Sequence, residues 1–469
     1  MKGIKINIYW IIGILFVLRL YGITNPPLEV NHHWRQVTGL MVARNFLEED
    51  NNILYPRVDE VGIGGKVSSG VIGMEFPFMN YLMYLLSLLA GYEHWYGRLI
   101  NLIVTSFGLF YFFKIIRAYW DEKTALWASA ILGFSVWFAF GRKAMPDTAS
   151  VSLAFIALWH AYKHLKEGKW VSLVAYTVFS TLAILVKIPS AIFLALVPLM
   201  LWENRFAYPN KLRVFAASAA PLIMAYWWYY IWNPMIAAES GMWYNSGGSI
   251  SEGASLFFQE ISLVSSYFYF STLMSYSLLV LLIVGIVSVF KNKDITAKAV
   301  FVVTLGLFMI YAFISGRHFV YQHYYMIFLA PVWAILVALS LKSKIFPKVL
   351  MALMVVGMVE AYFNQIHDFR IHDYNWKKAE LEGIFDNFSA REDLIVVNGE
   401  GNPQELYMSH RKGWTCKNEE IADKRYMSEV ISAGAKYLLI NKRKGEISLP
   451  YPVVYQDDTY LVCRLEIEN

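Results

Sequence analysis

The sequence predicts an all-α protein that crosses a membrane many times and carries a small α/β domain at its C-terminal end. Three observations predict it. Of the 469 residues, 57% are hydrophobic and only 16% are charged, where a soluble domain carries about 25% charge. Long apolar runs recur from Ile6 to Phe363, as membrane helices require. Beyond residue 363 the composition turns polar and short β-branched segments replace the long runs.

The first element is the run Ile6–Ile23 behind Met1-Lys-Gly-Ile-Lys5. It passes straight into Asn25-Pro-Pro27 with no small-residue cleavage site, so it reads as an uncleaved helix whose basic end is cytoplasmic. Further runs lie near 99–118, 125–141, 149–165, 170–186, 189–202, 214–232, 263–290, 299–315, 319–341 and 346–363. Positive charge sets their direction. One set of junctions holds Lys114, Arg117 and Lys123, then Lys163, Lys166 and Lys169, then Arg205, Lys211 and Arg213, then Lys291, Lys293 and Lys298, then Lys342, Lys344 and Lys348. The alternate junctions hold only Arg142, Lys143, Lys187 and Arg317. Short cytoplasmic loops collect Lys and Arg, so about eleven spans are expected, with the N-terminus inside and the C-terminus outside a plasma or inner membrane. The run Phe76–Ala90 would invert this register if it crossed. As a helix it is only about 22 Å long, and it is expected to lie on or partly in the outer membrane surface as a juxtamembrane helix, a tilted span being the alternative.

Two domains follow: a transmembrane domain over 1–363, with external loops 24–98 and 233–262, and an extracytoplasmic α/β domain over 364–469. In the tail Leu394–Val397 and Tyr437–Ile440 read as strands, Glu419–Ala433 as a helix, and Tyr455 with Tyr460–Leu465 as a hairpin around Asp457-Asp458. The centre of the second loop, Asn245-Ser-Gly-Gly-Ser249, suits a mobile flap. Cys416 and Cys463 form no C-x-x-C or zinc spacing; outside the membrane they would pair or stay as free thiols. A divalent metal is compatible with the sequence but not indicated, and no cofactor is. The net charge of +5 lies in the junctions rather than along an aromatic platform, which excludes nucleic acid as a partner.

Chemistry-bearing residues concentrate in the external junctions. The first loop contains Glu29-Val-Asn-His-His-Trp-Arg-Gln36, a helical segment Val37–Glu49, Leu54-Tyr-Pro-Arg57, and Glu75-Phe-Pro77. Glu29, His32, His33, Arg35, Arg57 and Glu75 there are either interfacial anchors or site residues. Ionisable groups at membrane depth are costly, which favours function for the cluster as a whole. Arg142-Lys-Ala-Met-Pro-Asp147 is the second cluster. Asp147 reads as a helix cap or as a catalytic carboxylate. Lys187 is a snorkelling lysine or a phosphate ligand, and Arg317 with His318 is belt composition or part of the site. A carboxylate that accepts a proton beside cations that hold a phosphate makes one consistent set.

In this order the residues resemble the GT-C glycosyltransferases of the protein O-mannosyltransferase and aminoarabinose-transferase type (glycosyltransferase family 39 and relatives). The resemblance rests on His33-Trp-Arg-Gln36, Val42-Ala-Arg-Asn-Phe46, Leu54-Tyr-Pro-Arg57, Glu75-Phe-Pro77, Arg98, Arg142–Asp147 and Leu185-Val-Lys187, and covers about residues 1–340. It implies an inverting transfer from a polyprenyl-phosphate sugar, entering among membrane lipids, to a glycan, lipid or protein acceptor on the outer face. Asp147 then corresponds to the family's second acid and Glu75 to its glutamate before proline. Where the branch has an Asp ahead of the His-x-Trp-Arg-Gln segment this chain has Asn31, and Glu29 is the nearest carboxylate. A flippase or transporter would instead place its charges in broken helices at mid-membrane. An O-antigen polymerase or ligase would lack the first-loop acid followed by Glu-Phe-Pro. Single cysteines at Gly91 and Glu93 are expected to react with an impermeant thiol reagent applied outside intact cells; labelling of Glu93 only after lysis would overturn the register.

Overall fold

The computed structural model describes residues 7–62, 67–240, 242, 247–292, 294–343, 346–445, 447 and 450–465. Lys66, Lys293, Lys344 and the flap residues Asn245 and Ser246 lie outside them. The chain folds as two compact units. The first comprises Met1–Ile23, Gly97–Trp228 and Ser246–Phe369, and the second Thr24–Tyr96, Tyr229–Asn245 and Arg370–Asn469. This division differs from the one expected at 363/364, because the first external loop and the tail pack into one body.

The first unit is helical. It contains α1 (Ile8–Arg19), most of α4 (Tyr96–Tyr119), α5 (Glu122–Phe134), the short α6 (Trp137–Phe140), α7 (Pro146–Glu167) and α8 (Trp170–Val186). Among the described residues four helices are long and apolar enough to cross a membrane: Tyr96–Tyr119, Tyr208–Glu239, Ile295–Ser315 and Pro347–Phe369. A fifth crossing is available if Ile261–Ser271 and Tyr276–Lys291, bent by 87° to one another, act as one span. Five shorter apolar helices of 10–17 residues, including Ile8–Arg19 and Trp170–Val186, fall below the ~20 residues a perpendicular crossing needs. Most of the 233–262 loop is helical rather than irregular. Asn233–Ser240 and Ile250–Gln259 are helices, the latter capped by Ser249, whose hydroxyl accepts the Glu252 N–H.

In the second unit α2 (His33–Glu48) packs on α3 (Phe78–Ala90), the expected juxtamembrane pair. Leu85, Leu88 and Leu89 stand exposed along one face of α3, the stripe an interfacial helix offers to lipid. The tail forms a five-stranded sheet in the order β2-β1-β3-β5-β4. β1 (Leu394–Val397) runs parallel to β2 (Gly413–Thr415) and to β3 (Ala435–Asn441), and β4 (Val453–Gln456) with β5 (Tyr460–Arg464) closes it antiparallel. The hairpin turns at Asp457, whose carboxylate accepts the N–H groups of Thr459 and Tyr460. Two sequence expectations change here. The helix expected over 419–433 breaks at Asp423, which caps a second helix, Lys424–Ser432. The three-residue β2 was not anticipated, being too short for a period-2 pattern to register. Cys416 and Cys463 are free and buried.

The first loop is stitched to this sheet. Gly413 donates its N–H to Asp59 and accepts from Val61, and Thr415 donates to Glu60. Only glycine fits at 413, where a Cβ would lie 1.7 Å from the Ile395 carbonyl oxygen. Val61 joins the sheet's apolar core with Trp414, Ile421 and Val430. Further along, His410 bridges Glu48 of α2 and Glu382 of the tail at 3.0 Å each. Burial alone would lower the His410 pKa, but its hydrogen bonds to Glu382 and Glu48 outweigh that and raise it. The Glu382 carboxyl is drawn down to about 2, chiefly by His410.

The seam is therefore pH-sensitive. The contribution of His410 is complete below about pH 6.5 and fades as pH rises through its raised folded pKa. That of Glu382 is present above about pH 4.3 and is lost as pH falls toward 2. Hydrogen exchange across residues 44–50 and 404–412, corrected for intrinsic rates, is expected to quicken as pH is raised from about 6.5. His410→Gln is expected to exchange fast throughout, and a flat wild-type profile would rule the seam out.

Candidate active site

The turn between α6 and α7 carries the second sequence cluster, and α4 holds it in shape. Asn101 of α4 donates to the carbonyls of Phe140 (3.0 Å) and Lys143 (2.7 Å). One helical turn on, the Thr105 hydroxyl donates to Gly141 at 2.8 Å. Main-chain groups that a tight turn would leave unmet are thereby satisfied by side chains. Pro146 opens α7 at a position where its missing N–H costs nothing, and Met145 is the cap. Asp147 is therefore not the cap but lies in the first turn, where the helix dipole favours a negative charge.

The cluster's charges are buried and paired. Lys187 breaks α8 in an extended conformation ahead of Ile188-Pro189. Its ammonium lies 4.0 Å from the Asp147 carboxylate, with side chains 9% and 1% exposed. That burial excludes snorkelling. Lys143, fully enclosed, stands 3.6 Å from Asp368, which also meets His367 at 2.9 Å. Arg142 is engaged differently: its guanidinium donates to the carbonyls of Arg19, Tyr21 and Gly22 and lies 4.1 Å from the Phe369 ring. It ties the end of α1 to the turn. Arg317 and His318 are exposed on a separate short helix, Arg317 lying 5.8 Å from the Tyr321 ring.

The second unit holds the first-loop residues. Arg35 of α2 pairs with Glu75 at 2.6 Å, both nearly buried. Arg44, one face further, pairs with Asp59 at 2.5 Å and donates to the Tyr407 carbonyl. Arg57 reaches Asp50 at 3.2 Å on the surface. Glu29 is fully buried; its backbone bridges Ile371, and its carboxylate accepts from Asn25 at 3.4 Å. Asn31 and His32, immediately before α2, both adopt left-handed backbone, φ 61° and 55°. Two successive non-glycine residues there store strain of the kind that clusters at functional sites, and His33 begins the helix beyond them. The tail fixes this stretch: Gln404 donates to Pro27, and Glu405 pairs with Lys378 at 3.1 Å beneath it.

Sequence reasoning missed Asp368, Asn101 and the pairing role of Asp59. Asp368 carries one usable signal, an acid in Gln365-Ile-His-Asp-Phe369 at the outer end of the last span. Asn101 carries none, since a lone amide in an apolar run does not reveal its partner. Among the described residues no group of three or more His, Cys, Asp or Glu side chains is arranged to hold a metal. An apolar cavity of about 320 Å³ lies in the first unit, walled by Phe112, Ile116, Phe155, Phe193, Met200 and Val332. It contains none of the cluster residues and sits at the end marked by lysine and arginine.

Residues 75–230 match the sequence model of the dolichyl-phosphate-mannose-protein mannosyltransferase family. That stretch includes Glu75, Arg142–Asp147 and Lys187. In structure the chain is similar to ArnT from Cupriavidus metallidurans bound to undecaprenyl phosphate, at 11% identity and TM-score 0.64 over 97% of both chains. It is also similar to the archaeal oligosaccharyltransferase AglB from Archaeoglobus fulgidus in complex with an inhibitory peptide and a dolichol-phosphate. That match has 11% identity and TM-score 0.55, over 92% of this chain and 69% of the other. No curated protein matches by sequence. The chain thus has the fold of the GT-C glycosyltransferases.

Removing one member of a buried pair leaves an uncompensated charge, at a cost of about 3–5 kcal/mol. Asp368→Asn is expected to lower the midpoint of thermal unfolding clearly, and Lys143→Met in the same chain to restore most of it. Equal, additive losses for the two substitutions would show that they do not act as a pair.

Proposed function

We propose that the chain is a multi-pass membrane glycosyltransferase that moves a sugar from a polyprenyl-phosphate donor to a hydroxyl acceptor on the extracytoplasmic face, with inversion. One observation carries the reading. The buried pairs Lys187–Asp147 and Lys143–Asp368 stand at one end of a helical unit whose fold is that of a protein crystallised with undecaprenyl phosphate.

In a single displacement the acceptor oxygen forms a bond to the anomeric carbon as the carbon–oxygen bond to the donor phosphate breaks. The acceptor proton passes to a carboxylate. The bonding electrons go to the phosphate, a stable anion that needs cations rather than a proton. Lys187 and Lys143 are the ammonium groups for it; a poorly solvated site strengthens such charge-assisted contacts. Asp147 and one first-loop carboxylate, Glu29 ahead of Glu75, are the acceptor-activating groups. Glu75 is already tied to Arg35, which makes it the weaker base. His32 and His33 orient the acceptor, and Arg35 with Arg57 holds the loop. The sugar is a hexose or pentose, and the acceptor a glycan, lipid or protein.

Donor binding and transfer, measured together with radiolabelled prenyl-phosphate sugars, separate these roles. An amide at the true base keeps shape but cannot accept a proton. One of Asp147→Asn, Glu29→Gln or Glu75→Gln is therefore expected to lower turnover by roughly 10²–10⁴-fold with donor binding retained. Lys187→Ala is expected to weaken donor binding instead. Wild-type transfer by all three amide variants would overturn the carboxylate mechanism.

A further inference from the structure

At the opposite end of the first unit α4 and α7 run side by side in the same direction. They approach closely at Gly108, where a Cβ would lie 2.2 Å from the Ser152 hydroxyl. Below that point ring contacts mark the seam: Phe112 with Phe155 at 5.0 Å, Tyr111 with His160 at 5.8 Å and Tyr119 with Tyr162 at 5.8 Å. On one flank of the seam the pair presents Lys114 and Arg117 from α4 and His160 and Lys163 from α7.

These groups are all cationic or neutral bases. The charges that act on Lys114 are Lys163 and Arg117, and those that act on His160 are Lys163 and Lys114. Among the described residues no carboxylate lies within ion-pair distance of Lys114, Arg117 or Lys163; the nearby Glu167 pairs with Lys169 at 2.8 Å. Lys114 is held by rings instead, its ammonium 4.4 Å from Trp159 and 5.1 Å from both Phe110 and Tyr111. Rings position an ammonium without cancelling its charge. Among the described residues the enclosed Nδ1 of His160 meets no hydrogen-bond partner. Like charges gathered at the edge of an apolar bundle repel unless an anion joins them.

We infer that this groove binds the phosphate of an anionic phospholipid from the leaflet at the lysine- and arginine-rich end. Lys114, Lys163 and Arg117 contact the phosphate, and Trp159 and Tyr111 line the upper acyl chains. Basic pockets between membrane helices on the cytoplasmic side take such head groups, and the sign rule assigns this end to the cytoplasm. The site is separate from the Lys143–Asp147 cluster and independent of the transfer reaction.

The test is native mass spectrometry of the purified full-length chain, titrated with phosphatidylglycerol or phosphatidylcholine of matched acyl chains. The wild-type chain is expected to bind phosphatidylglycerol in preference, and Lys114→Gln with Lys163→Gln to lower that preference roughly 10- to 30-fold. A control pair, Lys123→Gln with Lys211→Gln, removes two charges from the same end outside the groove and is expected to leave it unchanged. Equal binding of both lipids by the wild-type chain overturns the site, as does loss of preference in the control pair. Retention of preference in the groove variant overturns it too. Inorganic phosphate at millimolar concentration is expected not to compete; if it displaces the lipid, the anion is free phosphate and the lipid assignment fails. Should the groove variant not fold, Lys114→Arg with Lys163→Arg keeps the charge and is expected to keep the preference, and its loss there counts against the site.

Discussion

The helical unit is organised around a constraint on charge: an ammonium or carboxylate enclosed among apolar helices must meet its opposite or leave the interior. Lys143, Asp147, Lys187 and Asp368 are all enclosed, and they obey this by pairing across four segments, the α6–α7 turn, the start of α7, the end of α8 and the end of Pro347–Phe369. Each pair fixes where a helix end must sit. Asn101 and Thr105 then hold the turn that presents two of the four. The same requirement that makes the arrangement costly to break keeps its groups in a poorly solvated environment, where electrostatic interactions are strong.

The second unit uses a different device. Its first loop packs α2 on α3 and joins the tail's core as well, adding residues 59–61 as an edge to β2 and burying Val61 among the sheet's apolar residues. The tail is therefore a scaffold for the loop. Through Gln404 and the Ile371 bridge it holds Pro27 and Glu29, and through Tyr407 it holds Arg44. The strained backbone at Asn31 and His32 survives because both flanks are tied.

The predominantly helical class, many of the apolar helical segments and the strands β1, β3 and β5 were legible in the sequence, because each depends on local periodicity and composition; the eleven spans were not, since runs such as 189–202 and 319–341 fold as short, broken helices. The set of charged residues was legible too, since ionisable groups in an apolar chain stand out. Membership of that set did not reveal role. Arg142, read from the sequence as a substrate-binding residue, donates to three main-chain carbonyls, which no local pattern announces. Asp147 reads as a cap or as a catalytic carboxylate, and the structure removes the first of these by making Met145 the cap. Arg317 carries the same chemistry as Lys187 yet stands exposed.

What the sequence determined by itself is a chain of apolar helices with charge confined to their ends and a polar tail rich in short strands. Burial of apolar surface and the cost of unmet backbone groups follow from residue order alone. Only the tertiary structure decided which carboxylate meets which cation. It also decided that the first loop and the tail form one unit, and that Asp368 joins the cluster from over two hundred residues away. Those outcomes depend on the three-dimensional path of the backbone, and a pairing between distant residues leaves no periodic trace in a single sequence.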